Sequence, residues 1–444
     1  MNEVSDTLAR MALSSPVLDQ QALYAIDYGT SNSLLSCASS EQILGPLPLD
    51  PHSVDPSIFR SVLYFPNRKE CHFASQAIEE FVARDMEGRL IRSIKKYLPV
   101  ASFQGTYIEE RPMSLEDVIA TFLREMKRRA DLHVGKDING VVLGRPAKFS
   151  LDEAEDRLAE SRLEKAANLA GFKYIEFCPE PLAAAFSYRR HLDSMKIVLV
   201  ADFGGGTSDF TVIRIGPQDY RPEDVLAIGG VPLAGDSLDS AMMRKKISPH
   251  FGSTVAYKVP FGQNVLQMPR VLMEKICSPA DIVQLRERDT MEFFRNVKQW
   301  SLGEDDRKRM DQLFLLIEDQ LGFPVFEEID GTKRRLSQAD QTKFEFRYPS
   351  LVIQEPVSRV EFEQIIEDAV QKILDSLDQT IADAGLKATQ IDLVCSTGGT
   401  AKVPLLQHAL EQRFGAAKIS QHNHFQSVVL GLAERAQMLL CGQN

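Results

Sequence analysis

Residues 201–210 read Ala-Asp-Phe-Gly-Gly-Gly-Thr-Ser-Asp-Phe, and residues 25–33 read Ala-Ile-Asp-Tyr-Gly-Thr-Ser-Asn-Ser. Each stretch follows an apolar run and precedes a second one, so each reads as strand, Asp, small-residue turn, strand. Gly lets the backbone of such a tip come close to a ligand. Successive N–H groups in the tip form an anion-binding nest, and Thr30, Ser31 and Thr207 add hydroxyls. Asp27 and Asp202, which begin the turns, would repel a phosphate. They fit a phosphate site if Mg²⁺ stands between, held through its water shell. One such turn is equally an ordinary hairpin. Two copies in one chain favour phosphate binding and suggest two related lobes.

Working outward, short apolar runs at Leu23–Ile26, Leu34–Cys37, Val141–Leu143, Ile175–Phe177, Ile197–Ala201, Phe210–Ile215 and Ile391–Cys395 predict strands. Amphipathic helices lie between them. Ser114 caps one. Ser150-x-x-Glu153 reads as a capping box opening a helix that stops at Gly171, and Ser358-x-x-Glu361 opens another that closes near Gly385. Ser427–Leu440 reads as a last helix. Strands alternating with helices predict an α/β protein. A third glycine turn, Gly398-Gly399, lies between the Ile391–Cys395 strand and a helix starting near Pro404; it admits a flat ring or ribose, or is a tight turn chosen for sterics. Residues 250–330 are charge-dense and helical in period, and read as a helical insertion.

The composition narrows the function. With 51 Lys and Arg against 62 Asp and Glu, the net charge is −11. No basic cluster exceeds three residues, as at Lys127–Arg129 and Lys333–Arg335, so neither nucleic acid nor an anionic membrane is an expected partner. No apolar run approaches a membrane span, and the first residues lack a signal-peptide pattern. The six cysteines are scattered, and those at 37, 178 and 395 sit in apolar surroundings, which suits a reduced cytoplasmic protein. Neither glycine tip opens a helix as a dinucleotide fingerprint does, and the P-loop signature is absent.

These segments, with Ser93–Tyr97, Glu180–Tyr188, Gly229–Asp239, Lys333–Gln341 and Ser396–Pro404, occur in an order that resembles the ATPase domain of the 70-kDa heat-shock chaperone (DnaK-like) family, within the wider actin and sugar-kinase superfamily. Its nearest subgroup is the short YegD-like bacterial homologues. The resemblance implies a two-lobed actin-like fold of duplicated ribonuclease H-like lobes. Residues 1–22 would be a tail, 23–195 lobe I, 196–424 lobe II with the insertion at about 250–330, and 425–444 a helix returning to lobe I.

It further implies ATP or ADP with Mg²⁺ as cofactors. Asp27 and Asp202 would hold the hydrated ion. Gly29, Thr30 and Ser31 would form the first phosphate loop, and Gly204, Gly205, Gly206 and Thr207 the second. Lys95, Glu180, Asp209 and Thr207 would serve hydrolysis. Gly398 and Gly399 would meet the adenosine, and Lys333, Arg334 and Ser337 would cover the adenine. On the residues alone, Lys95 beside Lys96 is also a solvated pair, Glu180 a helix-start residue favoured by the helix dipole, and Arg334 part of a solvated face.

Three departures qualify the resemblance. After the final helix the sequence would leave no room for the family's peptide-binding domain, the stretch between Asp239 and Lys333 is longer than the family norm, and Lys402 stands where Arg is usual, which removes planar stacking on a base. The expected function is Mg-dependent ATP binding and slow hydrolysis by a monomeric, nucleotide-controlled switch that works with a protein partner through the insertion. A non-hydrolysing nucleotide sensor, a small-molecule kinase and an actin-like filament remain the alternatives.

Overall fold

The computed structural model describes residues 22–84, 87–150, 152–189, 192–216, 224–278, 281–420 and 426–442. The chain divides into two compact units. The first holds residues 1–232, 373–401 and 407–444, and the second 233–372 and 402–406.

Two sheets organise the first unit. One contains β1 (Ala22–Tyr28), β2 (Asn32–Ser39), β3 (Gly140–Arg145) and β4 (Tyr174–Pro179). Their order is β4-β3-β1-β2, with short strands at Ile43–Leu44 and Phe59–Arg60 pairing β2. The other contains β5 (Lys196–Phe203), β6 (Ser208–Ile215), β7 (Val225–Val231) and β8 (Leu393–Thr397) in the order β7-β6-β5-β8. The same motif is built twice. β1 runs antiparallel to β2 and parallel to β3, while β5 runs antiparallel to β6 and parallel to β8. All seven expected strands of the two sheets are present, each a residue or more longer at one end than its apolar run. β7 was not singled out from sequence; glycines at 229 and 230 interrupt its apolar character.

The helices Glu180–Arg189 and Ser427–Leu440 join the two sheets. Leu182, Ala183 and Phe186 of the first and Val428, Leu432 and Ala433 of the second share one buried cluster with Leu23, Ala25 and Val142 of one sheet and Val198, Val200 and Cys395 of the other. Small residues let the two helices approach closely. A Cβ at Gly431 would lie 1.6 Å from the Ala183 carbonyl oxygen, so only glycine fits there. A second cluster lies on the other face of the first sheet, where Tyr24, Ile26, Leu35 and Leu143 meet Val118, Phe122 and Met126 of the helix Leu115–Val134.

Side-chain caps set a few helix starts. Ser114 Oγ accepts from the Asp117 N–H at 3.1 Å, and Ser358 Oγ accepts from the Glu361 N–H at 3.2 Å. The capping box at Ser150 does not form. The cap of the helix Glu153–Ala170 is Asp152, whose carboxylate accepts from the N–H groups of Ala154 and Glu155 at 2.9 and 3.0 Å. Ser150 Oγ instead accepts from the Asp152 N–H and donates to Glu155. A charged acceptor beside the positive end of the helix outcompetes a hydroxyl two residues earlier.

The second unit carries the helices Arg270–Ile276, Arg288–Trp300, Asp306–Glu318 and Gly322–Leu336. The insertion is therefore mostly helical, with a two-residue ladder, Ala256–Tyr257 against Leu266–Gln267, that its sequence did not announce. The hairpin Gln341–Tyr348 with Leu351–Ser358 was missed as well. No helix of the described residues is long and apolar enough to cross a membrane. No disulfide joins any of the six cysteines; Cys37, Cys178, Cys277 and Cys395 are buried.

Candidate functional site

Both glycine tips are hairpin turns. In the first, Tyr28 pairs with Ser33, leaving Gly29, Thr30 and Ser31 in the turn beside Asn32. A Cβ on Gly29 would lie 2.2 Å from the Asn32 carbonyl oxygen, so the turn demands glycine. Ser61 clamps this tip: its hydroxyl donates to the Gly29 carbonyl at 2.7 Å, and its N–H donates to the Ser31 carbonyl at 2.9 Å. In the second tip, Phe203 pairs with Ser208, and the Gly204 N–H donates to the Thr207 carbonyl at 3.0 Å. The two tips meet. A Cβ on Gly206 would lie 3.4 Å from Thr30 Oγ1.

The third turn buttresses the second. β8 runs beside β5 with Thr397 level with Asp202, and Thr397 Oγ1 donates to Asp202 Oδ1 at 2.6 Å. Gly398 follows with φ of +82°, and a Cβ there would lie 2.2 Å from the Phe203 carbonyl oxygen. Thr400 Oγ1 then donates to the Gly204 carbonyl at 2.8 Å. Gly399 completes the same turn.

Behind the tips lies one buried cation among carboxylates. Lys95 sits in a single helical turn, Ile94–Tyr97, and its Nζ donates to Glu180 Oε1 at 2.8 Å. Both side chains are buried, so the solvated-pair reading fails for Lys95; neighbouring Lys96 is exposed, with its Nζ 4.8 Å from the centre of the Tyr97 ring. Glu180 does begin its helix, as its sequence suggested. It is seated there by Gly144 of β3, where a Cβ would lie 3.2 Å from Glu180 Cγ. Asp209 is buried and accepts from Thr207 Oγ1 at 2.8 Å. Asp27 and Asp202 are half-buried at the strand ends.

Four carboxylates thus share the field of one ammonium, and their acidities show the imbalance. Burial, then the Glu180 charge, pushes Asp209 up to about 8. The same two causes bring Asp202 to about 6 against the opposing Thr397 hydrogen bond. Burial and Glu180 also push Asp27 well above the ordinary carboxylate range. Burial is the largest influence on Lys95 and lowers its pKa, but Glu180 and Asp27 outweigh it and the net shift is upward. A concentration of buried and half-buried, mutually repelling carboxylates with one counter-ion is a donor set that a divalent cation would stabilise. Among the described residues, no group of three or more His, Cys, Asp or Glu side chains is placed to ligate a metal directly. A hydrated Mg²⁺, which keeps its own waters, asks for no such group.

In the second unit, Lys333 is buried and its Nζ pairs with Asp239 at 2.8 Å and Asp330 at 3.1 Å. The Arg334 side chain is 67% exposed and pairs with Asp330 at 2.6 Å. Ser337 Oγ donates to the Lys333 carbonyl at 3.3 Å. Sequence reasoning missed Ser61, Gly144, Thr397 and Thr400 as parts of the site. Only Thr397 and Thr400 carried a signal, their place beside a glycine pair after a strand.

A sheet motif built twice, each copy ending in an aspartate and a small-residue tip, defines a duplicated α/β fold with its polar groups gathered where the copies meet. The Hsp70 protein family model matches residues 78–253 and 324–444. The chain is 25% identical to human heat shock 70 kDa protein 13 over 373 residues, covering 80% of this chain and 72% of that protein. It is 25% identical to a chaperone protein HscA homolog of Shewanella sp. strain MR-4 over 433 residues, covering 94% of this chain and 58% of that protein. The HscA homolog of Shewanella oneidensis is 26% identical over the same length. The chain belongs to the Hsp70 protein family. It carries that family's chaperone-type, ATP-binding ATPase domain in an actin-like fold.

Proposed function

We propose that this domain binds ATP with Mg²⁺, hydrolyses it slowly, and serves as a nucleotide-controlled switch for a protein partner that docks on the insertion of residues 250–330. The observation that carries this reading is the pairing of the two tips: Gly206 lies against Thr30, with Asp27, Asp202, Asp209, Glu180 and Lys95 gathered behind them.

In this reading, the N–H groups of residues 29–31 and 205–207 bind phosphate oxygens and the hydroxyls of Thr30 and Ser31 orient them, while the Gly204 N–H closes the second tip on the Thr207 carbonyl. Mg²⁺, when bound, neutralises phosphate charge, with Asp27 and Asp202 on its water shell. Lys95 Nζ opposes the charge that develops on the terminal phosphoryl group. Asp209 and Glu180 would hold the attacking water and take its proton. Thr207 fixes Asp209 through its 2.8 Å hydrogen bond. Gly398 and Gly399 leave room for the nucleoside, and Lys333, Arg334 and Ser337 are assigned to the base. Buried thiols without disulfides and the lack of a spanning helix among the described residues support a cytoplasmic setting.

The test is steady-state phosphate release from Mg·ATP by the whole chain and by Lys95→Ala. Turnover in the first and a loss of about a hundredfold in the second are expected. ATP binding by calorimetry with no ADP formed by the unmodified protein would replace the reading with that of a sensor.

A further inference from the structure

From Ser240 to Met273 the chain contains no Asp or Glu, though the whole protein carries a net charge of −11. The same stretch holds Arg244, Lys245, Lys246, Lys258 and Arg270. Lys246 is tied to Glu355 and Glu361; Arg270, whose side chain is 92% exposed, pairs at 3.1 Å with Glu274 just beyond the stretch, and Lys258 is exposed.

Four exposed large apolar side chains fall in the same stretch: Phe261, Val265, Leu266 and Val271. Phe261 stands fully in solvent at a turn closed by the Gly262 N–H donating to the Val259 carbonyl at 2.9 Å. Its φ is +62°, a strained left-handed conformation that an aromatic residue rarely adopts. Burial in the second unit does not repay that strain, because the ring touches solvent on all sides.

Beside this turn lies a strand edge. Ser301 bridges to Tyr257, Ala256–Tyr257 pairs with Leu266–Gln267, and among the described residues no strand pairs with the other side of Leu266–Gln267. Residues 263–267 are all exposed. Proteins usually protect such an edge with Lys, Pro or a bulge within the strand. Here the strand is Leu266–Gln267, entered through the exposed Asn264 and Val265, with neither charge nor proline among the four.

We infer that the edge Asn264–Gln267 is a docking surface for an extended, acidic protein segment that adds to the ladder as a further strand, with Phe261 covering its apolar side chains and Lys258 and Arg270 answering its carboxylates. Backbone pairing supplies the affinity in this mode of recognition, and alternate side chains supply the choice of partner. The missing acids are what a surface for an anionic segment requires, since like charges opposite one another are penalised. This inference names the chemistry of the partner proposed for the insertion and is independent of whether ATP is turned over.

The experiment titrates the whole chain with a fluorescent peptide of alternating glutamate and valine, and with its lysine–valine counterpart. The acidic peptide binds and the basic one does not. Lys258→Glu together with Arg270→Glu weakens the acidic peptide on the order of tenfold and strengthens the basic one. Val265→Pro weakens the acidic peptide while Val265→Ala changes it little, which marks pairing through the backbone. All variants keep the thermal midpoint and ATP binding of the parent, so loss of fold and loss of the nucleotide reading are both told apart from loss of this surface. Equal binding by parent and double charge reversal, binding of neither peptide, or capture of phosphatidylserine vesicles without peptide binding overturns the inference.

Discussion

Thr397 and Asp202 lie 195 residues apart in the chain and 2.6 Å apart in space, hydroxyl to carboxylate. The contact joins the last strand of the second sheet to the tip of its hairpin, and it is the hydrogen bond that holds down the pKa of a carboxyl whose pKa burial raises. Thr397→Val keeps the shape of the side chain and removes the donor. It should cost about 1–2 kcal/mol in urea unfolding and weaken Mg-nucleotide binding more than it slows turnover, with Thr397→Ser restoring both.

Stability without nucleotide or divalent metal should fall as pH rises. Asp202 and Asp209 keep their protons in the folded chain to about 6 and about 8, whereas the unfolded chain releases them near the ordinary carboxylate value. Between those limits the folded state holds more protons, so its advantage is full at low pH and is lost as pH climbs through the folded values. The thermal midpoint in a chelator should therefore decline from about pH 5 to pH 8.5. Asp209→Asn should flatten the upper part of that decline.

Lys95→Met should destabilise the fold as well as remove turnover. It leaves Glu180 buried without its cation, a loss of about 3–5 kcal/mol by the general behaviour of broken buried pairs. Lys95→Met combined with Glu180→Gln should recover much of the thermal midpoint and none of the activity.

The two cations assigned to the base should separate cleanly. Lys333→Ala strands Asp239, whose carboxyl burial already raises to about 6, and should lower the thermal midpoint sharply. Arg334→Ala, on a side chain that is 67% exposed, should leave the midpoint within about a degree, as surface pairs contribute little, and weaken ATP binding by a few-fold.

Gly431→Ala should be the most damaging small change in the first unit. Its new methyl would have to displace the Ala183 backbone, at a cost of about 3 kcal/mol or more in urea unfolding. Gly385→Ala is the control. Gly385 has φ of +71° but open space around it, so it should cost only about 1 kcal/mol.

The hairpins were legible because glycine and threonine tips interrupt two apolar runs, a pattern written within nine or ten residues. The partners of those tips were not. Ser61 reaches Gly29 from an irregular stretch with no signal of its own, and Gly144 reads as a weak point in a strand until Glu180 is seen to occupy the space it leaves. The hairpin Gln341–Ser358 went unread although Phe344, Phe346, Leu351 and Ile353 alternate. Its outward face is Lys343, Glu345 and Arg347, which looks like a solvated charged run, and Pro356 argues against a strand. Lys95 and Lys96 are indistinguishable by type. Only the distant Glu180 decides which one is buried.

The seam between the two sheets is filled by the chain's last described helix, so it closes late. A ribosome that has delivered both sheets but not yet Ser427–Leu440 holds a nascent chain whose Leu23, Ala25, Val142 and Ala183 face an unfilled trough. That intermediate exposes apolar surface for as long as translation of the remaining residues takes. A domain of chaperone type is thereby, during its own synthesis, a client in need of shelter.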